Sequence, residues 1–197
     1  MFNNKDFIYR KRAAYSQEGC DYAINYFEKM VDRQGEGTLG GRPPTSDTMK
    51  KKKCTEMYLK REEYSIFDDV LGKGLQEYHE IYPYINDHFS EYNIGPTFKL
   101  QKYKPKEGYF ELHCENEGPN AGLERLLAWM IYLNNVTEGG HTRFPNQNRK
   151  FQPRRGDLLI WPAHFTHTHH GIASKTQTKY IATGWFIFKE AIALGYY

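Results

Sequence analysis

The second half of this sequence is a series of short apolar segments, and their periodicity differs from that of the first half. After Gly95-Pro96, segments with the length and residue pattern of β-strands are separated by turns rich in Gly, Pro and Asn. Because each strand must pair and bury a face, so many short strands predict two packed sheets of the jelly-roll kind. The predicted strands cover residues 97–104, 109–115, 124–133, 157–161 and 179–188, with Phe151 in a further short strand.

Two segments of the first half have helical periodicity instead. Residues 16–33 place apolar side chains at helical spacing after a candidate N-cap at Ser16. Residues 65–89 show the same pattern after a candidate cap at Ser65. Pro83 is expected to kink or divide this second helix, since proline cannot continue the hydrogen-bond ladder. The first half therefore predicts a helical layer.

Together these patterns predict an α+β fold with a double-stranded β-helix (jelly roll) core and N-terminal supporting helices packed on one sheet. We expect a single domain over residues 1–197, in which residues 1–95 give helical support and a lid loop, and residues 96–190 form the jelly roll. Two further short strands are expected near residues 7–9 and 54–60.

Residues 35–53 differ from the segments around them. They contain glycines, a Pro-Pro pair and four consecutive lysines at residues 50–53. This composition favours a mobile surface loop with a solvated charge run. A lid or substrate-contacting loop is the alternative, because long loops in compact domains are often functional. Nucleic-acid binding through the lysines is a weaker hypothesis, since the formal net charge is only +3.

Composition excludes several classes of protein. With 16 Tyr and 12 Phe, an intrinsically disordered chain is not expected. Three widely spaced cysteines without a CxxC motif do not form a disulfide framework or a thiolate zinc site, which predicts a reducing, cytoplasmic setting. No signal peptide is evident, and the longest apolar run, residues 126–133, is far below the ~18 residues that span a bilayer. We expect no membrane partner.

The tripeptide His113-Cys114-Glu115 ends one of the predicted strands. Residues i and i+2 of a strand point to the same side, so His113 and Glu115 could bind one cation. A lone HxE motif is weak evidence, and its value depends on a further ligand from elsewhere in the fold. Two imidazoles and one carboxylate on one face of an octahedral metal are the arrangement of non-heme Fe(II) oxygenases.

A histidine cluster downstream could supply the third ligand. Four of the eight histidines follow the predicted strand 157–161, at His164, His167, His169 and His170. His167 and His169 share a face, whereas His170 should point away and His164 should lie in a turn after Pro162. Spacing alone leaves open which of them binds a metal.

The order of motifs over residues 100–188 resembles the catalytic core of the 2-oxoglutarate- and Fe(II)-dependent dioxygenases, particularly the prolyl-4-hydroxylase-like group. That family has a tyrosine on a strand, then His-x-Asp, Tyr-Leu-Asn, Gly-Gly-x-Thr-x-Phe, Pro-x-x-Gly-Asp, a His, and a Lys ten residues later. The matching residues here are Tyr103, His113-Cys114-Glu115, Tyr132-Leu133-Asn134, Gly139-Gly140-His141-Thr142-Arg143-Phe144, Pro153-Arg154-Arg155-Gly156-Asp157, His169 and Lys179.

The resemblance implies that His113, Glu115 and His169 bind Fe(II). The step of ten residues from His169 to Lys179 selects this histidine from the cluster. The sequence departs from the family at Glu115, where the family usually has Asp. The longer side chain keeps a carboxylate but adds a rotatable bond, so we expect iron binding that is weaker or uses a different carboxylate mode.

The resemblance also implies a site for 2-oxoglutarate. Lys179 would pair with the distal carboxylate of the co-substrate, with Tyr103 and Thr142 as hydroxyl donors and Trp185 as an aromatic wall. A physical argument supports this role for Lys179, because a buried ammonium is costly unless it meets an anion. Trp185 lies six residues further along the same predicted strand and therefore faces the same side.

The implied activity is hydroxylation of a C–H bond, most simply in a prolyl residue of a peptide or protein. Fe(II), 2-oxoglutarate and O2 would be required, with ascorbate as a further candidate, and succinate and CO2 would be released. Alternatives are a hydroxylase of another amino acid side chain or of a small molecule, a zinc hydrolase that uses the same histidines, and a non-catalytic jelly-roll binding module. Zinc hydrolysis leaves Lys179 unexplained, and only Glu115 favours the binding module.

Overall fold

The computed structural model describes residues 6–39, 44–62, 64–117 and 122–190, and these ranges contain ten β-strands. The strands are β1 (Tyr9–Lys11), β2 (Gly35–Glu36), β3 (Thr55–Lys60), β4 (Tyr92–Tyr103), β5 (Arg125–Tyr132), β6 (Thr142–Phe144), β7 (Arg149–Phe151), β8 (Leu158–Pro162), β9 (His170–Gly171) and β10 (Lys179–Phe188).

These strands form two antiparallel sheets. The larger sheet has seven strands in the order β1-β8-β5-β10-β4-β3-β2, and the smaller has three in the order β7-β6-β9. β10 lies between β5 and β4 at the centre of the larger sheet, with Lys179 opposite Tyr103 and Ile181 opposite Tyr132. The short strands predicted near residues 7–9 and 54–60 are present as β1 and β3 at outer positions of this sheet.

Four α-helices accompany the sheets in the described ranges: α1 (Gln17–Lys29), α2 (Ser46–Lys51), α3 (Asp68–Ile81) and α4 (Pro83–His88). The predicted cap of α1 is confirmed, since the Ser16 hydroxyl accepts the backbone N–H of Gly19 at 3.0 Å. The predicted division at Pro83 is also confirmed, because α3 ends before it and α4 begins at it. None of these helices is long and apolar enough to cross a membrane.

The predicted cap at Ser65 is wrong. The backbone N–H of Asp68 donates to the Ser65 carbonyl at 3.0 Å, so the chain makes a turn over residues 65–68 before the helix starts. α3 therefore begins three residues later, after Phe67, without a side-chain cap. Asp68 and Asp69 lie in its first turn, where carboxylates favour the positive end of the helix dipole.

Helices α1 and α3 pack on one face of the larger sheet. Phe27 of α1 and Leu71 of α3 are buried in one apolar cluster with Phe98 and Trp129 of the sheet. Phe67 joins them, with its ring 5.4 Å from Phe98 and 6.0 Å from Trp129 between centroids. A second cluster lies between the two sheets and includes Tyr103, Met130, Phe144, Phe151, Trp161 and Ile181. The predicted α+β double-stranded β-helix with helices on one sheet is confirmed.

A strand over residues 109–115 is not formed, so this prediction is wrong. The segment has two isolated bridges, Lys52 to Tyr109 and His113 to His169. Its backbone N–H groups donate to carbonyls of three separate segments: Phe110 to Lys51 at 2.6 Å, His113 to His169 at 3.1 Å and Glu115 to Ala163 at 2.9 Å. Because no neighbouring segment pairs with residues 109–115 over more than one residue pair, a ladder of β-sheet hydrogen bonds cannot form.

The interpretation of the lysine run as solvated charge is wrong for Lys52. α2 occupies part of the predicted loop at 35–53, of which residues 40–43 lie outside the described residues. Lys52 follows this helix and is 3% exposed. Its ammonium lies 2.7 Å from a carboxylate oxygen of Glu56, which is buried as well. The run thus places one of its charges inside the protein.

Replacing Asp157 by alanine should destabilise the fold. The buried Asp157 carboxylate accepts the Arg10 Nε–H at 2.9 Å and the Ala13 backbone N–H at 3.1 Å, which ties the N-terminal segment to β8. Its loss leaves a partly buried guanidinium without its partner, and we expect the free energy of unfolding to fall by about 2–3 kcal/mol. Urea unfolding measures this. Asp47→Ala, at an exposed carboxylate, is the control and should change stability by less than about 0.5 kcal/mol; equal effects would contradict the assignment.

Candidate metal centre and anion pocket

Three side chains bring potential metal ligands to one point. His113 and His169 face each other in an isolated antiparallel bridge, with backbone hydrogen bonds of 3.1 and 2.8 Å, and Glu115 follows two residues after His113. Glu115 Oε1 lies 3.7 Å from His113 Nε2 and 3.4 Å from His169 Nε2. The three ligand atoms all lie within 4.8 Å of one another, which suits one bound cation.

Backbone carbonyls fix which nitrogen of each imidazole faces this point. Nδ1 of His113 lies 2.9 Å from the Glu111 carbonyl oxygen, and Nδ1 of His169 lies 3.0 Å from that of His167. A carbonyl can only accept, so each Nδ1 carries the hydrogen. The Nε2 atoms therefore face Glu115, and in a neutral ring each would offer its lone pair to a metal, as in metal-binding histidines whose other nitrogen is hydrogen-bonded.

The charge states also suit a cation. Burial, together with the neighbouring His169, lowers the pKa of His113. Burial raises the pKa of Glu115, but the hydrogen bonds and charges of His113 and His169 outweigh it and hold that pKa well below its usual range. Near neutral pH the site thus offers a neutral imidazole at His113 and an ionised carboxylate, the forms that bind metal.

Aromatic rings hold the two imidazoles in place. Tyr109 stacks on His113 with 3.6 Å between ring centroids. Phe144 and Trp161 each lie 5.1 Å from the ring of His169. These contacts restrict rotation of the ligands and keep bulk water from one side of the centre.

Lys179 carries a buried positive charge beside this centre. Its side chain projects from the start of β10, and the residue is 5% exposed. Its ammonium donates to the Gly140 carbonyl at 3.2 Å and lies 4.6 Å from the ring centroid of Tyr103. No carboxylate of the described residues forms an ion pair with it. Burial lowers its pKa to about 8. Because an ammonium has three hydrogens, it retains donors for an anion.

Hydroxyl groups line the same cavity as Lys179. The Tyr103 hydroxyl donates to Gln101 Oε1 at 3.1 Å. The Thr142 hydroxyl oxygen accepts from Tyr132 at 2.8 Å, which leaves the Thr142 hydroxyl hydrogen available to a ligand. The cavity has a volume of about 80 Å³ and also borders the His/Glu/His group. It can hold several waters or a small organic anion.

Trp185 has a contact beyond its predicted role as an aromatic wall of the co-substrate pocket. It borders the cavity, and its indole N–H donates to Glu115 Oε2 at 2.8 Å. Trp185 therefore contacts the carboxylate of the candidate metal centre directly. Nothing in the sequence pattern indicated that contact.

Sequence analysis missed a polar cluster next to Lys179. Glu56 Oε2 accepts from Lys52 at 2.7 Å and from Gln101 at 2.9 Å. Burial raises the pKa of Glu56, but Lys99 and Lys52 lower it to about 2. A usable signal existed on β4, where Lys99, Gln101 and Tyr103 alternate at i, i+2 and so share a face. Because Tyr103 faces the pocket, Lys99 and Gln101 on the same face of β4 line it as well.

The other clustered histidines have different surroundings. His164 is exposed and precedes a 3-10 turn, as the predicted turn requires. His167 is buried, and its Nε2 lies 2.8 Å from the Asp6 carbonyl oxygen. His170 is half-buried at the edge of the cavity. His169 is the member of the cluster that joins His113 and Glu115.

Comparison with known proteins agrees with a metal centre formed by these residues. Residues 98–187 match the model of the 2OG-Fe(II) oxygenase superfamily. A putative prolyl 4-hydroxylase of Acanthamoeba polyphaga mimivirus is 36% identical over 111 residues, which cover 48% of this chain and 46% of that protein. The chain thus matches about half the length of this relative.

Two solved structures share the fold. The viral collagen prolyl hydroxylase of Paramecium Bursaria Chlorella virus-1, in a 2-oxoglutarate complex, superposes with a TM-score of 0.66 at 20% identity, covering 92% of this chain and 96% of that one. A prolyl hydroxylase of Trichoplax adhaerens, in complex with a peptide fragment of hypoxia inducible factor, gives 0.71 at 16% identity, covering 97% and 88%.

The match over residues 98–187 falls on the same motifs, and the resemblance of this part of the chain to 2-oxoglutarate- and Fe(II)-dependent oxygenases of the prolyl-4-hydroxylase-like kind is confirmed. The family match and the His/Glu/His group support Fe(II) and 2-oxoglutarate as its cofactors. The residues fit both groups, since two imidazoles and a carboxylate suit Fe(II) and the buried Lys179 suits a carboxylate.

Proposed function

We propose that the protein is a 2-oxoglutarate- and Fe(II)-dependent dioxygenase that hydroxylates a prolyl residue of a peptide or protein and releases succinate and CO2. One observation carries this proposal: a His/Glu/His group and a buried lysine, with no carboxylate partner among the described residues, border the same cavity. In this proposal His113, Glu115 and His169 hold the iron, and Lys179, Tyr103, Thr142 and Trp185 surround the co-substrate.

Each group of residues has a distinct task. When bound, Fe(II) with 2-oxoglutarate supplies activation of dioxygen and oxidation of the C–H bond. His113, Glu115 and His169 would hold the metal and leave the adjoining cavity to the co-substrate and dioxygen. Lys179 orients the co-substrate by binding its distal carboxylate, with the Thr142 hydroxyl as a second donor. The rings of Tyr109, Phe144 and Trp161 keep water away from the histidines.

The substrate assignment is supported by the named activities of the relatives. The mimivirus relative and the chlorella virus structure are described as prolyl hydroxylases, and the Trichoplax structure holds a peptide. A peptidic prolyl substrate is therefore the first to test.

We further propose that residues 1–95 and 96–190 act as one domain, because α1 and α3 share a core cluster with the sheet. Free thiols at Cys20, Cys54 and Cys114 support a reducing, cytoplasmic setting.

The proposal is tested with a panel of proline-containing peptides, Fe(II), 2-oxoglutarate and ascorbate in air. The expected result is a mass gain of one oxygen atom, about 16 Da, on proline, with succinate formed in equal amount. Succinate formation with oxygen added to another side chain would contradict the prolyl assignment alone. Peptide binding without any succinate, in iron-loaded protein, would contradict the oxygenase proposal and favour a binding module.

A further inference from the structure

We propose that Trp185 and Arg125 are positioning residues for Glu115: they hold its outer carboxylate oxygen so that the other oxygen alone faces the two histidines. This inference rests on the proposed metal centre. It concerns how a glutamate, with its additional methylene group, is kept in one orientation at a site that requires a single carboxylate oxygen.

The two oxygens of Glu115 have different partners. Oε1 faces the histidines, 3.7 Å from His113 Nε2 and 3.4 Å from His169 Nε2. Oε2 accepts the indole N–H of Trp185 at 2.8 Å. A hydrogen bond from a donor in a rigid ring fixes the plane of the carboxylate as well as its position. The outer oxygen is therefore already engaged, and Oε1 is left for the metal.

Arg125 supports this arrangement from two directions. Its Nη1 donates to the backbone carbonyl of Glu115 at 3.1 Å and lies 4.0 Å from Oε2. Its guanidinium also lies over the ring of Trp185, 3.7 Å from the centroid. Arg125 thus contacts the backbone of Glu115 and the ring that binds its side chain, and cation–π contact favours that stacking.

The positions of both supporting residues are set by the larger sheet. Trp185 belongs to β10 and pairs with Ala128 of β5, while Arg125 is the first residue of β5. Two neighbouring strands of one sheet therefore carry the two groups that contact Glu115. Glu115 itself lies in an irregular segment, where its three side-chain torsions would otherwise remain free.

The length of the Glu115 side chain determines whether its carboxylate reaches both the histidines and Trp185. An aspartate at position 115 would place its carboxylate closer to the backbone by one C–C bond, about 1.5 Å. It could not face the histidines and also keep the 2.8 Å hydrogen bond to Trp185 without movement of the backbone. The contribution of the Trp185 N–H should therefore depend on the presence of glutamate.

A double-mutant cycle with Mn(II) as the probe tests this dependence. Trp185→Phe keeps an aromatic ring but removes the N–H, and the affinity for Mn(II), followed by electron paramagnetic resonance, should fall about tenfold, the range seen for lost partners of metal ligands. In the Glu115→Asp background the same substitution should change the affinity by less than about twofold. Arg125→Gln should reproduce both results with a smaller loss.

Trp129→Phe is the matched control. The indole N–H of Trp129 is buried in the cluster that the sheet shares with the helices and has no hydrogen-bond partner within the described ranges, so its removal should leave Mn(II) affinity unchanged. Thermal unfolding of each variant separates loss of fold from loss of binding. Equal losses from Trp185→Phe in the two backgrounds would show that Trp185 acts only as a wall, which would overturn the positioning role. Failure of the wild-type protein to bind Mn(II) would instead overturn the proposed metal centre, and this inference with it.

Discussion

Replacing His169 by alanine should abolish the absorption band that Fe(II) and 2-oxoglutarate give together under anaerobic conditions, and should lower succinate formation by at least about 100-fold. Loss of a hydrogen-bond partner of a ligand already costs about 10- to 100-fold in metal affinity or activity, and loss of a ligand itself should cost more. The substitution leaves His113 and Glu115, which cannot hold the metal on three sides. Titration of Fe(II) into protein with excess 2-oxoglutarate measures the band directly.

His164→Ala is the matched control for this experiment. His164 belongs to the same histidine cluster but is exposed, and its backbone carbonyl only accepts the N–H of His167 in a 3-10 turn. The His164→Ala variant should therefore keep the absorption band and wild-type turnover. An undiminished band in His169→Ala, or its loss in His164→Ala, would mean that another histidine binds the iron.

Replacing Lys179 by methionine should weaken the apparent affinity for 2-oxoglutarate by about 100-fold, equivalent to about 2.7 kcal/mol. The neutral side chain keeps most of the volume but removes the charge that binds a carboxylate. The thermal stability of Lys179→Met, in contrast to its affinity for 2-oxoglutarate, should not fall. The ammonium is buried without an ion-pair partner among the described residues, so its removal should leave the unfolding temperature unchanged or higher. Kinetics at varied 2-oxoglutarate and thermal unfolding provide the two values.

The pKa of Lys179 adds a pH dependence to this prediction. Burial lowers that pKa to about 8 in the absence of an anion, and only the charged form attracts the co-substrate. The affinity of the wild-type protein for 2-oxoglutarate should therefore fall as the pH rises above about 8, since binding then requires uptake of a proton. Lys179→Arg should lack this fall, because a guanidinium stays charged. Lys175→Met, at an exposed lysine, should match the wild type in both experiments; a similar loss there would indicate a general charge effect.

Features encoded locally could be predicted from the sequence. The helical spacing after Ser16 and the proline at position 83 act within one segment, so the start of α1 and the division between α3 and α4 follow from them. Alternation along β10 likewise places Lys179 and Trp185 on one face. The order of motifs then relates Lys179 to His169 without any knowledge of the fold.

Features that depend on distant segments could not be predicted in this way. His113 and Glu115 lie in an irregular segment because its backbone bonds go to three separate neighbours, which no periodicity records. Lys52 is buried because the chain after α2 places it against Glu56, although four consecutive lysines indicate solvent exposure. The contact between Trp185 and Glu115 joins residues 70 positions apart and is visible only in three dimensions.

The most direct test of this account is a crystal structure with Mn(II) in place of Fe(II) and with 2-oxoglutarate. We expect one metal ion within about 2.0–2.3 Å of His113 Nε2, His169 Nε2 and a single oxygen of Glu115, a range typical of such ligands. We also expect the distal carboxylate of 2-oxoglutarate within hydrogen-bond distance of Lys179 Nζ. A metal held by other residues, or a co-substrate whose distal carboxylate lies away from Lys179, would contradict it.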